Sequence, residues 1–490
     1  MHGDIDSLFR KGLHDQPMFD TICELISRDP DYPPRASVLD ALTRVLNGRL
    51  YDVLPFDFHD ERSPAGEYIP LRKRKPSVRY PLCRVVVEDS VSLLFSEGHF
   101  PTIDSVDRTT QESLALIVRD ARLNLVMTEA AIRGSIGSVA ILMRVLTGRV
   151  FLQVMDSIYL TPIWNPIEPD TLLTVTERYK VSGIQLSSDG YDVSDSTAEY
   201  WFQRSWDSYD EAWYIPSLIS DGPPHLIDTN RTVHHGLGFV PVVWIRNLPG
   251  YSSTGDQNDG ACTFRAAIET QIEIDYQLSQ VGRGLKYSSD PTLLLKEPIG
   301  ADADIIKGAG NALVVSEKGD ARLLEIGGTA AAAVMDYVRT LREFALESIH
   351  GNRSSPDRLT AAQSGRALEL MNLGLLWLAD NLRITYGEVA LLSLARMIVQ
   401  ASLCYTLRVA GKDLPPMDST AALSLKWPRW YPTSAADRQL DAATLETLMN
   451  SGLISRASAI KAVANTYDID NVTAELAQSA ADQDERQSID

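Results

Sequence analysis

Apolar residues along the chain change their spacing, and each change marks a boundary. Up to about residue 135 they recur at three and four, the spacing of one helix face. Short helices are predicted at Gln16–Ile26 and Ala36–Leu46, an apolar helix over Arg84–Phe95, and a longer helix over Gln111–Ile132. In that longer helix Leu114, Ile117, Val118, Ala121, Leu125 and Ala130 share a face. Residues 54–79 are rich in proline and charge and read as loop. From Gly137 to Val243 the spacing becomes two, which predicts strands at Val139–Met143, Val150–Val154, Leu172–Val181 and Trp201–Trp206. Turns at Thr147-Gly148, Asp189-Gly190 and Asp221-Gly222 separate them, and Gly238–Asn247 closes this part.

After a Gly/Ser/Asp-rich linker, Pro249–Gly260, helical spacing returns over Cys262–Tyr287. Phe264, Ile268 and Ile272 form its apolar row, and Glu269, Glu273, Gln277 and Gln280 form a polar stripe. Glu269 and Glu273 lie one turn apart on that stripe, which is either a wet helix face or a face aimed at a water-filled channel. Pro291–Gly328 reads as a small β unit, with strands near Leu293–Leu295, Ala312–Val315 and Arg322–Ile326 and a hairpin turn at Glu317–Asp320. A second helix, Thr329–His350, has an apolar row of Val334, Val338, Leu341 and Ala345 and a polar side marked by Asp336, Glu343 and Glu347. Gly351–Leu359 is a polar loop. Thr360 to Gln363 has capping-box spacing and opens a helix running to about Leu407, roughly 70 Å long at 1.5 Å per residue, with bends expected at Gly374 and Gly387. Trp427–Pro432 is a second linker, and Ser434–Ala481 is helical, with Ser451-Gly452 between helices and Ser455 as a cap. The fold class is α+β, and two helices bracketing a small β unit read as a hairpin that extends away from a body.

Composition narrows the function. The formal charge is −19, from 46 Lys and Arg against 65 Asp and Glu. Such a chain repels nucleic acid at long range, which suits either a protein that does not hold DNA or a conduit whose walls must let DNA slide. The one basic cluster, Arg72 to Arg79, is either a solvated loop or a contact for phosphate or an acidic neighbour. Four dispersed cysteines lack metal or redox spacing and predict free thiols in a reducing compartment. Met1–Arg10 has no apolar signal core, and Val389–Tyr405 is interrupted by Arg396 and Gln400, so no membrane span is expected.

Catalytic signatures are missing from the sequence. Gly411-Lys412 lacks the upstream glycine of a phosphate-binding loop, no glycine pair completes a dinucleotide fingerprint, and there is no His-Glu-x-x-His or Gly-x-Ser-x-Gly. Adjacent His234 and His235 on a strand point to opposite faces and would not chelate one metal. Asp302 and Asp304 read as a solvated turn that could at most take a cation. The expectation is no enzyme, no cofactor and no metal.

The order of elements resembles the portal proteins of tailed bacteriophages, of the siphovirus type. Val86–Pro101 resembles their early buried helix, Gly137–Ala140 and the following strands their wing sheet, and Gly238–Val243 with Asn247 the strand leading into the stem. Ser364–Leu368 resembles the start of the wing helix, and Ser451–Ser455 the turn between crown helices. The resemblance implies an N-terminal arm (1–79), a wing (80–260 and 361–433), stem helices (261–288 and 329–350), a clip (289–328), a tunnel loop (351–360) and a crown with an acidic tail (434–490). It also implies a homo-oligomeric ring, usually of twelve subunits, at one capsid vertex of the virion, assembled in the host cytoplasm. Double-stranded DNA would be packaged and ejected through its channel, and the terminase large subunit, a head-completion adaptor, and the major capsid and scaffolding proteins would be its partners, without a membrane. The site residues so implied are Asn352, Arg353, Ser354 and Arg358 on the tunnel loop; Glu269, Glu273, Glu343 and Glu347 facing the channel; and Lys307, Glu317, Lys318 and Asp320 on the clip docking surface. The competing readings are a capsid-associated scaffold or adaptor without a channel, and a Mg²⁺-dependent nucleic-acid hydrolase built on scattered carboxylates.

Overall fold

Burial decides where the helices of the first third go. The computed structural model describes residues 17–26, 31–289, 292–298, 315–324, 328–351, 369–431, 435–464 and 474–478. Helices α1 (Met18–Ile26) and α2 (Pro34–Leu46) pack together and bury Phe19, Ile22, Leu39 and Leu42. Pro34 opens α2, where a missing N–H costs nothing. In α3 (Leu82–Phe95), nine of the fourteen residues are buried, so its apolar residues face packing on more than one side. Strand β1 (Thr102–Ser105) leads into α4 (Arg108–Asp120), capped by the Asp107 carboxylate on the Thr110 N–H.

The single helix predicted over Gln111–Ile132 is two. Arg122 sits at φ 50°, in the left-handed region, and α5 (Leu123–Gly134) starts after it. The break resets the apolar phase, so that Leu123 and Met127 are buried while Leu125 faces outward.

The β-rich part forms two sheets around one core. Strands β2 (Ser138–Leu146) and β3 (Arg149–Asp156) form a hairpin, followed by β4 (Leu160–Trp164), β5 (Leu172–Ser182), the short helix α6 (Gly183–Ser188), β6 (Glu199–Trp206), β7 (Asp210–Trp213), β8 (Ser217–Leu218), β9 (Val233–His234) and β10 (Val242–Arg246). One sheet has the order β10-β2-β3, antiparallel throughout; the other runs β4-β5-β6-β7-β9, with β8 on β6. Ala140, Leu142, Met155 and Trp244 of the first share a core with Val175 and Trp206 of the second.

The predicted arm follows. Helix α7 (Ile268–Ser289) leads to the antiparallel pair β11 (Thr292–Pro298) and β12 (Val315–Leu324), and α8 (Gly328–Ser348) returns against α7. Residues Glu317 to Asp320 are not a turn: they lie within β12, where the register shifts between the Lys296–Asp320 and Pro298–Val315 pairs.

The start of the expected long helix lies outside the described residues. What is described is α9 (Leu373–Leu382), a π-helical stretch (Arg383–Leu391) and α10 (Leu392–Cys404), with a turn at Asn372. Of the two bends expected, the one at Gly374 falls two residues after the turn at Asn372, and Gly387 lies inside the π stretch. A Cβ on Gly387 would stand 2.3 Å from Cζ2 of Trp427, so only glycine lets that indole seat itself there. By length and composition the span Leu373–Cys404 could cross a membrane, yet more than half of its most apolar 18-residue stretch is buried inside the protein, as expected of a core helix. The chain continues through β13 (Arg408–Val409), β14 (Lys412–Asp413) and β15 (Leu423–Lys426), which pairs with β1, to α11 (Ala435–Asn450) and α12 (Arg456–Val463). Ser455 caps α12 through the Ser458 N–H.

The chain divides into two compact units. One comprises Met1–Asn352 and Gly374–Pro428; the other comprises Arg353–Leu373 and Arg429–Asp490. In the second, α11 and α12 pack on each other, and Arg429 pairs with Asp441.

Candidate functional site: the helical arm and its root

The arm is anchored by a buried polar row on α7. Gln271, Asp275 and Ser279, spaced by four, lie on one face and are all buried. Each accepts a backbone N–H from the segment preceding or opening α3: Gln271 Oε1 from Cys83 (3.0 Å), Asp275 Oδ1 from Tyr80 (2.6 Å) and Ser279 Oγ from Val78 (2.9 Å). That segment is not helical at Val78 and Tyr80, so its N–H groups need acceptors, and the polar row supplies them. Asp275 also accepts from the Tyr51 hydroxyl at 2.7 Å. Burial pushes its carboxyl up to about 7, against the pull of those two donors and of Arg79. Next to it, the Tyr276 hydroxyl donates to the Arg74 carbonyl.

Helix α8 is tied to the same place. Arg342 Nε donates to the Tyr80 hydroxyl at 3.1 Å, so Tyr80 holds one arm helix by its N–H and the other by its side chain. The helix ends with His350 at φ 55° and with Gly351, where a Cβ would stand 2.6 Å from Val86 of α3. Glycine is therefore what allows the arm to close onto the body.

Beyond the root, α8 has three distinct faces. Val338, Ala345, Leu346 and Ile349 are buried. Asp336, Glu343 and Glu347, on the opposite face, are exposed. Between these, at seven-residue spacing on one flank, Tyr337 is 47% and Phe344 61% exposed, large apolar side chains with water on them in the single chain.

The carboxylates singled out by the sequence separate into two kinds. Glu343 and Glu347 are exposed on α8. Glu269 is half-buried and accepts the backbone N–H groups of Met18 (3.1 Å) and Phe19 (2.9 Å), closing the start of α1. Glu273, also half-buried, accepts from Gln277 at 2.7 Å. On the hairpin, Lys318 and Asp320 are exposed on β12, which also carries Glu317. Lys307 and the loop residues Asn352, Arg353, Ser354 and Arg358 lie outside the described residues, as do Asp302 and Asp304.

Three residues of the basic stretch have partners inside the chain. Arg74 is buried and donates to the Phe58 carbonyl and the Tyr68 hydroxyl; Lys75 pairs with Asp57; Arg79 reaches the Gly48 carbonyl and Asp52. His234 and His235 take different partners, Asp210 and the Asp207 carbonyl. Among the described residues no group of three or more His, Cys, Asp or Glu converges as a metal site.

Two buried clusters hold the linker before the arm; sequence reasoning missed the first and named only Asn247 of the second. Arg35 grips Asp259 with two bonds of 2.8 Å, and Thr254 and Ser138 complete the carboxylate's shell. Asn247, fully buried, donates to the Ala261 carbonyl and Thr263 and accepts from Tyr386 of the π stretch at 3.0 Å. The buried row Gln271, Asp275 and Ser279 was missed as well, since the polar stripe was placed at Glu269, Glu273, Gln277 and Gln280; its spacing of four was the signal that could have found it, whereas the Arg35–Asp259 pair, 224 residues apart, had no local signal.

The profile of one protein family, described as phage portal protein, SPP1 Gp6-like, matches residues 36–488. No curated protein matches the chain.

Proposed function

The chain belongs to the phage portal protein family, and from that premise we propose that copies of it close into a ring, of about twelve subunits, at one vertex of a phage capsid. Double-stranded DNA passes along the axis during packaging and ejection. The observation that carries this reading is the three-faced helix α8. Its buried face holds it to its own arm, its exposed apolar flank at Tyr337 and Phe344 asks for a neighbour, and its acidic face at Asp336, Glu343 and Glu347 is left for an aqueous lumen. A wall of carboxylates offers phosphates nothing to bind, so DNA slides. Arg353 and Arg358 on the loop after α8 supply the transient phosphate contacts at the narrowest point, flanked by Asn352 and Ser354. The hairpin, with Glu317, Lys318 and Asp320 on β12, together with Lys307, is the docking surface for the terminase large subunit and later for the head-completion adaptor, while the major capsid and scaffolding proteins meet the outer body. The protein works without catalysis of its own.

Negative-stain electron microscopy of the purified protein tests this directly. Rings with an axial hole are expected, and Phe344→Asp is expected to shift the population toward single chains. A wild-type protein that stays monomeric across salt and concentration would overturn the proposal. If Glu343→Lys with Glu347→Lys leaves rings intact, it is expected to make them retain DNA in a salt-dependent way.

A further inference from the structure

Strand β10 leaves half of its backbone unpaired. In the antiparallel ladder with β2, Pro241 accepts from the Met143 N–H and Asn247 donates to Gly137, so the odd-numbered residues face β2 and Val242, Trp244 and Arg246 point their N–H and C=O groups the other way. The Val242 N–H is used by the Val240 carbonyl. The remaining outward groups of Val242, Trp244 and Arg246 have no partner among the described residues, although Trp244 as a residue is only 6% exposed. The linker covers this edge only at Leu248, which pairs with Ala261.

The open edge is the floor of a groove of about 680 Å³. Thr385, Val389, Ser393 and Met397, at four-residue spacing along the π stretch and α10, form one wall, and Trp164 and Leu172 at the ends of β4 and β5 belong to the other. A row of outward backbone groups repeating every two residues, about 6.6 Å, matches another extended chain and no compact ligand. Open strand edges inside a molecule are templates for added strands.

We propose that this groove seats an extended strand of a neighbouring copy of the chain, which hydrogen-bonds to Val242, Trp244 and Arg246 and widens the three-stranded sheet across the subunit boundary. The inference rests on the ring reading above. A head-to-tail ring joins two unlike surfaces of the same chain, so a groove on one copy and a strand edge on the next are what such closure uses. The chain itself has strand edges to offer: the outward backbone groups of Val150, Leu152 and Val154 on β3 also lack partners among the described residues.

Amide hydrogen exchange with residue-level fragmentation tests it, on dilute single chains and on assembled protein. In single chains an alternation is expected, with Val243 and Ile245 slow and Trp244 and Arg246 fast. On assembly Trp244 and Arg246 are expected to slow by about tenfold or more, and Ser393→Arg, which plugs the groove from a half-buried helix position, is expected to reduce assembly with unchanged circular dichroism. Slow exchange of Trp244 and Arg246 already in single chains would overturn the inference, because the edge would then be satisfied within the chain. Assembled rings in which these two amides exchange as fast as in single chains would overturn it too, while leaving the ring reading intact. Absence of any assembly would remove both.

Discussion

Asp275→Asn isolates the cost of a charge at the arm's root. The carboxyl accepts from Tyr51 and the Tyr80 N–H, and burial holds it at about 7 against an ordinary 3.8. A folded-state value above the unfolded one means the native protein holds the proton more tightly. Its contribution to stability is therefore complete below about pH 4 and is lost as the pH rises to about 7. The gap is about three decades in proton affinity, which at 1.36 kcal/mol each is a ceiling of roughly 4 kcal/mol. Asparagine keeps both contacts: its carbonyl accepts from Tyr80 and its amide donates to the Tyr51 oxygen. The variant is thus expected to match the wild type below about pH 4 and to exceed it by up to roughly 4 kcal/mol near pH 8, with the gain growing between. Urea unfolding followed by intrinsic fluorescence at several pH values measures the difference. Parallel pH curves for the two proteins, or an equal loss at both ends, would refute the reasoning, because the carboxylate would then be held as an anion.

Three further outcomes follow from the same structure. Arg35→Met leaves Asp259 buried among Ser138 and Thr254 without its cation and is expected to cost about 3–5 kcal/mol in urea unfolding. Gly387→Ala drives a methyl into Trp427 and is expected to cost about 1–3 kcal/mol, much of it recovered in the double variant with Trp427→Leu. Glu269→Ala removes the acceptor of the Met18 and Phe19 N–H groups and is expected to cost about 1 kcal/mol, read as faster amide exchange over α1, with Glu269→Gln retaining part of the protection.

The arm was legible in the sequence because each of its parts has a local signal: two helical spacings, a short β stretch and a glycine at the exit. The strands β2, β3, β5, β6 and β10 were legible for the same reason, as alternation is a property of neighbours. Reading failed where the deciding contact is distant. Glu269 and Glu273 look alike by spacing, but only Glu269 faces the start of α1, about 250 residues away in sequence. Arg72 to Arg79 reads as a solvated loop or an outward contact, yet Arg74, Lys75 and Arg79 are held by Phe58, Tyr68, Asp57 and Asp52 of the preceding segment. The single helix expected through Ala121 divides because Arg122 takes a left-handed conformation that no propensity scale anticipates. The π stretch contains Gly387, where the sequence placed a bend, but the indole that this glycine accommodates comes from forty residues downstream and has no local signal.

Tyr80 gives the arm a mechanical character. One residue fastens α7 through its backbone and α8 through its ring hydroxyl, so a pull on either helix is delivered to the same point at the entrance to α3. The helices cannot slide past each other at this end without breaking a bond to Tyr80. The root is thus a short clamp: Tyr80 ties the two helices to one residue, and the Val78 and Cys83 N–H groups on either side of it hold α7 by Ser279 and Gln271.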